Sequence, residues 1–230
     1  MTLDDKKPKN ALIALLLLAP VPSLAVIMAM VVAPGPVGKA LFTIAKLWLL
    51  IFPAAWYLLV EKGDPSWSPP TRAGLVAGSV SGVVLAGLIV LGAWLLGVQE
   101  MDLAPLRAAV QEMGLNTVLP YLAGAAGWIF VNSLMEEYVY RWFITRQCEI
   151  LMRREAAIIS SAAIFTAHHV IAVSQYLDPL LTALASAGVF VGGLIWSWLY
   201  LRYRSIWPCW LSHVLADIAV FGIGWYLLFG

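Results

Sequence analysis

Long apolar runs alternate with short polar breaks along the whole chain. The runs cover about 11–33, 38–60, 73–97, 118–145, 156–174, 179–200 and 206–229. Each is long enough to cross ~30 Å of hydrocarbon as a helix rising ~1.5 Å per residue. Helix is the expected form, because a lone strand would leave backbone groups unpaired in lipid. The run 156–174 is short, and 118–145 is expected to continue past the hydrocarbon region. Two connections stand out. Residues 61–72 form a proline-rich loop. Residues 99–115 are too charged to span, yet Leu103, Leu106, Val110 and Met113 recur at helical spacing, as in a helix lying at the interface.

Composition sharpens this picture. Of 230 residues, 62% are apolar before counting 18 glycines, and only 12% are charged. Soluble domains sit near ~45–50% apolar and ~25% charged. Sixty-two per cent of 230 is roughly 143 residues, enough for about seven spans of ~20 residues each. The expected fold class is therefore all-α: a polytopic transmembrane helical bundle of seven to eight spans, with residues 1–230 forming one integral membrane domain. A soluble enzyme, a disordered chain and a nucleic-acid binder are excluded. Cys148 and Cys209 form no CxxC pair and are too few for a disulfide framework or a zinc ribbon.

Charge placement suggests an orientation. With the N-terminus cytoplasmic, Lys6, Lys7, Lys9, Lys62, Arg72, Arg141, Arg146, Arg153, Arg154, Arg202 and Arg204 lie on or near the cytoplasmic side. Only Lys39 and Arg107 fall outside, and Lys46 sits within a span. The expected location is the inner membrane of a cell. The N-terminus resembles a signal peptide up to Ala25, but its apolar run continues to Ala33, which favours an uncleaved first helix. Gly74, Gly78 and Gly82 form a small-residue stripe suited to close helix packing within the bundle, with a dimer interface as the alternative. Gly188 and Gly192 carry the same ambiguity.

Ionisable groups inside spans cost about 2.5–3.5 kcal/mol each on insertion scales, so the few present are candidates for function. The fourth span carries Glu136, Glu137 and Arg141, the fifth His168 and His169, and the seventh His213 and Asp217. Lys46 stands alone in the second and reads as a snorkelling side chain. Glu137 and Arg141 are four residues apart and should pair on one face, as should His213 and Asp217. Glu136 points about 100° away with no local cation, which suits a general base. His168 and His169 also diverge by about 100°, so one of them at most is expected to face a given point, with His168 the packing residue. Counted from Arg146, Arg154 and Arg204, the residues Glu136, His169 and His213 lie roughly 14–23 Å deep. Three helices can thus present them at one level toward the cytoplasmic side. Such a set could activate water, stabilise an oxyanion, or bind a divalent metal such as zinc.

The same residues carry a resemblance. Glu136-Glu137-Tyr138-Val139-Tyr140-Arg141 matches EExxxR, Phe165-Thr166-Ala167-His168-His169 matches FxxxH, and His213-Val214-Leu215-Ala216-Asp217 matches Hxxx(N/D). In that order they resemble the motifs of the CPBP intramembrane proteases, also called the ABI family, which includes the type II CAAX prenyl endopeptidases. The lead-in 199–208 is similar too, and the likeness covers about 118–217, the expected catalytic core. The resemblance implies an intramembrane endopeptidase. Glu136 and His169 would activate water, His213 and Asp217 would stabilise the oxyanion, and Glu137 and Arg141 would hold the site. The prenyl endopeptidases usually have asparagine at the position of Asp217. An ionised carboxylate there would repel an oxyanion, so Asp217 would be protonated, orient His213, or ligate a metal.

No metal is required on the leading reading; if one binds, Glu136, His169, His213 and Asp217 are the expected ligands. The expected partners are the bilayer and a membrane-associated peptide or protein, prenylated or carrying a C-terminal sorting segment. Two other classes compete: a non-catalytic membrane immunity or interaction protein, and a proton-coupled transporter. No internal repeat supports the transporter.

Overall fold

The structure is a computed structural model that describes residues 3–66 and 68–230, with side chains from residue 7 onward. The side chains of Asp4, Asp5 and Lys6 therefore lie outside the described residues. Seven helices are long and apolar enough to span a membrane, each where the apolar pattern places it. In chain order the helices are α1 (Lys7–Val32), α2 (Pro36–Val60), α3 (Arg72–Leu95), the short α4 (Ala104–Glu112), α5 (Val118–Leu151), α6 (Arg154–Val173), α7 (Pro179–Tyr203) and α8 (Trp207–Phe229). No strand occurs among the described residues. The chain is an all-helical integral membrane protein.

Local chemistry sets the helix ends. Thr71 caps α3 by accepting from the Gly74 amide at 3.0 Å. Asp178 caps α7 by accepting from the amides of Leu180 and Leu181 at 2.9 and 3.0 Å, with Pro179 opening the first turn. Arg204, at φ 52°, ends α7 in a left-handed conformation, and Pro208 starts α8 directly afterwards. Proline breaks α1 near Pro20, while Pro53 lies inside α2 just before a wide π turn at Trp56–Val60. Helix α5 extends beyond the expected bound of residue 145, reaching Leu151. The polar segment after α3 does form a helix, α4, with Leu106 and Val110 half-buried and Met113 exposed.

Helix α5 is central and packs against α1, α2, α6, α7 and α8. Helices α3 and α8 form a close pair, as do α6 and α7. The α3 stripe explains the first pair. A Cβ on Gly78 would collide with the Pro208 carbonyl oxygen, and one on Gly82 would lie 2.9 Å from the Ser212 Cα. The stripe therefore serves packing within the chain. In α7 the pattern is shifted from expectation. Gly188 faces open space, a Cβ on Gly192 meets only Trp196 of its own helix, and it is Gly193 that abuts Ala162 of α6.

The bundle is apolar outside, and its fully buried polar groups sit within a largely apolar core. Leu59, Leu119 and Val131 expose 76%, 77% and 70% of their surface, while Glu137, Arg141, Thr145 and Ser197 expose none. This is the distribution a lipid solvent selects, since apolar side chains lose nothing by facing acyl chains. At one end of the bundle, Glu61 after α2 pairs with Arg146, and Glu149 pairs with Arg204 through two contacts of 2.6 Å. The ends of α2, α5 and α7 that carry these ion pairs thus share one side.

The Gly78 contact yields a prediction. Gly78→Leu should destabilise the protein by about 1–3 kcal/mol through overpacking. Gly87→Leu, on a face open to its surroundings, should be neutral. Thermal unfolding in detergent distinguishes them. Unchanged stability of Gly78→Leu with loss of a dimer would instead assign the stripe to an interface between copies.

Candidate active site

The site begins with an irregularity in α5. That helix widens into π turns at Gly127–Asn132 and again at Glu137–Thr145, with a short α segment, Ser133–Glu136, between them. Such turns leave carbonyls in need of other donors, and hydroxyls supply them. Ser133 Oγ donates to the Ile129 carbonyl and Thr145 Oγ1 to the Tyr140 carbonyl at 2.8 Å. Single π turns recur at functional sites because they re-aim side chains. Here the boundary falls between Glu136 and Glu137, which face different partners.

Glu137 builds a sealed layer. Its Oε2 accepts from Arg141 Nε at 3.2 Å, the pair expected from their spacing, and its Oε1 lies 2.8 Å from His213 Nδ1. A carboxylate paired with arginine only accepts, so the Nδ1–H of His213 is the donor. Arg141 also donates to Ser197 Oγ at 3.0 Å and to the Gly193 carbonyl at 3.4 Å. Its Nη2 has no hydrogen-bond partner, and the guanidinium lies 4.7 Å from the centre of the Phe165 ring. Trp196 stacks on His213 at 4.0 Å and 17°, and its Nε1 donates to Ser212. Helices α5, α7 and α8 are tied together by these contacts.

A second layer lies beside the first and is more open. With Nδ1 committed to Glu137, His213 turns Nε2 toward Glu136 Oε2 at 3.8 Å and Asp217 Oδ1 at 3.7 Å. The side chains of Glu136 and Asp217 expose 12% and 20%, against none for Glu137. His169 places Nδ1 3.0 Å from the Phe165 carbonyl. A carbonyl only accepts, so in the neutral ring Nδ1 carries the proton and Nε2 the lone pair. His168 places Nδ1 3.1 Å from the Tyr140 hydroxyl. The matched depth read from sequence thus corresponds to a real convergence of α5, α6 and α8.

Two expectations need correction. Both histidines of α6 approach the same glutamate: Glu136, His168 and His169 each offer a ligand atom within 4.8 Å of the other two. The 100° divergence of their Cα–Cβ bonds is overcome because the rings swing together, their centroids 4.1 Å apart. Among the described residues these three form a group that could enclose a metal ion, and Glu136 and His169 are shared with the expected ligand set. Glu136 is also not remote from cations. Lys46 Nζ donates to Asn132 Oδ1 at 2.7 Å, and Asn132 Nδ2 donates to Glu136 Oε1 at 2.9 Å. Lys46 therefore turns toward the site instead of snorkelling away. Asn132, absent from the expected site, is signalled in the sequence as an amide four residues before Glu136 in an apolar run. Trp196, Ser197 and Ser212 carry no such signal.

The sealed layer makes a stability prediction. Arg141→Met leaves Glu137 buried without its cation and should cost about 3–5 kcal/mol. Glu149→Gln, which breaks the more exposed pair with Arg204, should cost less than about 1 kcal/mol. Thermal unfolding of the two variants reads the difference; equal losses would contradict the assignment of Glu137–Arg141 as the structural anchor.

Comparison with known families matches residues 118–219 to the type II CAAX prenyl endopeptidase Rce1-like family. The matched region takes in α5 to α7 and the first half of α8, with every motif residue, and leaves α1 to α4 outside. No curated protein and no solved structure compared with the chain gave a match. The region that holds the two polar layers, residues 118–219, thus matches the Rce1-like type II CAAX prenyl endopeptidases, a protease family, in keeping with the likeness carried by its three motifs.

Proposed function

We propose that the chain is an intramembrane endopeptidase that hydrolyses a peptide bond of a membrane-associated substrate, of the CAAX prenyl type or bearing a C-terminal sorting segment. One observation carries the reading. Glu136, His169, His213 and Asp217, drawn from three helices of the matched region, converge beside a buried anchor that fixes the orientation of His213.

At 3.7 and 3.8 Å from the carboxylate oxygens, His213 Nε2 makes no direct hydrogen bond to them and is available to another acceptor. Water held between Glu136 and His169 gives up a proton to one of them as its oxygen bonds to the scissile carbonyl carbon. The carbonyl oxygen becomes an oxyanion. His213, in its doubly protonated form, donates from Nε2 to that oxyanion while Glu137 holds Nδ1. Collapse breaks the C–N bond, and the proton first taken from water passes to the leaving amine. Asp217 orients His213 or, when protonated, donates to the same oxygen. The basic ends gathered near Glu61, Arg146 and Arg204 support an N-terminus in the cytoplasm and a site toward that side.

Glu136→Gln should abolish cleavage while leaving thermal unfolding unchanged. The measurement is mass spectrometry of membrane peptides released by wild-type and variant protein in proteoliposomes containing a prenylated CAAX peptide and total membrane protein. Full cleavage by the variant would overturn the reading. Retention of cellular function by Glu136→Ala and His169→Ala would favour the immunity or interaction role. The cluster of Glu136, His168 and His169 supports a metal-dependent version of the same hydrolysis. On the leading mechanism cleavage survives exhaustive chelation; loss on chelation with recovery on adding zinc would favour the metal-dependent version.

A further inference from the structure

The matched protease region holds the convergent motif residues, yet one contact to Glu136 is supported from outside it. Lys46 lies on α2, 86 residues from Asn132 in sequence, and bonds it at 2.7 Å. Asn132 and Glu136 are separated by one helical turn of α5, so the amide lies over the carboxylate. The order of this chain is determined by chemistry. Lysine only donates, so it engages the amide oxygen of Asn132. The amide nitrogen is thereby turned toward Glu136 and donates to Oε1 at 2.9 Å. Glu136 is left with Oε2 facing His213. The Lys46 ammonium also lies 5.5 Å from the centre of the Phe42 ring, one turn earlier on α2, which steadies its own position.

We infer that Lys46 and Asn132 are positioning residues for the base of the proposed hydrolysis, with α2 clamping one carboxylate oxygen of Glu136 so that the other is presented to water. The inference rests on Glu136 acting as the base. Neither residue touches the reacting atoms. Lys46 is a costly residue to place in a span, and the contact with Asn132 gives that placement a purpose. The device also assigns a task to α2, which the matched region leaves out.

Two readouts test it. The first needs no substrate: labelling of Glu136 by dicyclohexylcarbodiimide, a membrane-soluble carboxyl reagent, quantified by peptide mass spectrometry. The Asn132 amide withholds Oε1 from the reagent, so labelling should rise several-fold in Lys46→Met and in Asn132→Leu. Both substitutions are apolar and suit a membrane span. Lys46→Arg should restore slow labelling. The second readout is kinetic, on peptides whose release requires Glu136. Lys46→Met should lower kcat roughly ten- to a hundred-fold with KM nearly unchanged, as for a base displaced by about an ångström. The double variant should be no slower than the worse single one, because both residues act through one contact. Unchanged labelling in Lys46→Met and Asn132→Leu, with both folded, overturns the inference alone. Cleavage that survives Glu136→Gln overturns the functional reading instead.

Discussion

Glu137 exposes no surface and sits inside a bundle whose exterior is hydrocarbon-like, so its charge must be answered by fixed partners. Those partners are the Arg141 guanidinium on its own helix and the His213 ring on α8. Each partner then constrains something further. Arg141 reaches the Gly193 carbonyl and Ser197 on α7, and His213 is clamped flat against Trp196. Removing the carboxylate would break the bonds to Arg141 and His213 together. The orientation of His213 follows from the same bond, because a ring that spends Nδ1 on Glu137 has only Nε2 to turn toward Glu136 and Asp217.

The two layers divide labour by exposure. The sealed layer, Glu137 and Arg141, exposes no surface. The more open layer contains the groups suited to moving a proton or meeting an oxyanion, and it inherits its geometry from the sealed one. Adjacent glutamates can face different partners because successive residues of a helix point about 100° apart. The site also depends on helices outside the matched region. Helix α2 reaches Asn132 through Lys46, and α3 braces α8 through its glycine stripe and the bond between Ser81 and Ser212 at 3.1 Å.

Much of this was legible in the chain. The seven spans followed from apolar runs, because lipid imposes helix length and forbids unpaired backbone. The Glu137–Arg141 pair and the shared face of His213 and Asp217 followed from a spacing of four residues. The convergence of Glu136, His169 and His213 followed from counting depth along three helices. What stayed hidden depends on side-chain torsions and on neighbours distant in sequence. The approach of His168 and His169 to one carboxylate required ring rotations that helical projection ignores. The turn of Lys46 inward required Asn132 to be opposite it, and no spacing rule relates positions on α2 and α5. The stacking of Trp196 on His213 was equally unreadable, since a tryptophan in a span is ordinary.

Glu137 holds the Nδ1 proton of His213 and sets the direction of the ring. The chain contains only three histidines, His168, His169 and His213, so nitrogen NMR of protein labelled with 15N-histidine is tractable in a lipid bilayer. Resonances can be assigned by replacing each histidine in turn. The account predicts that Nδ1 of His213 is protonated and hydrogen-bonded at neutral pH. A bare Nδ1 on His213, with the proton held on Nε2 alone, would contradict it.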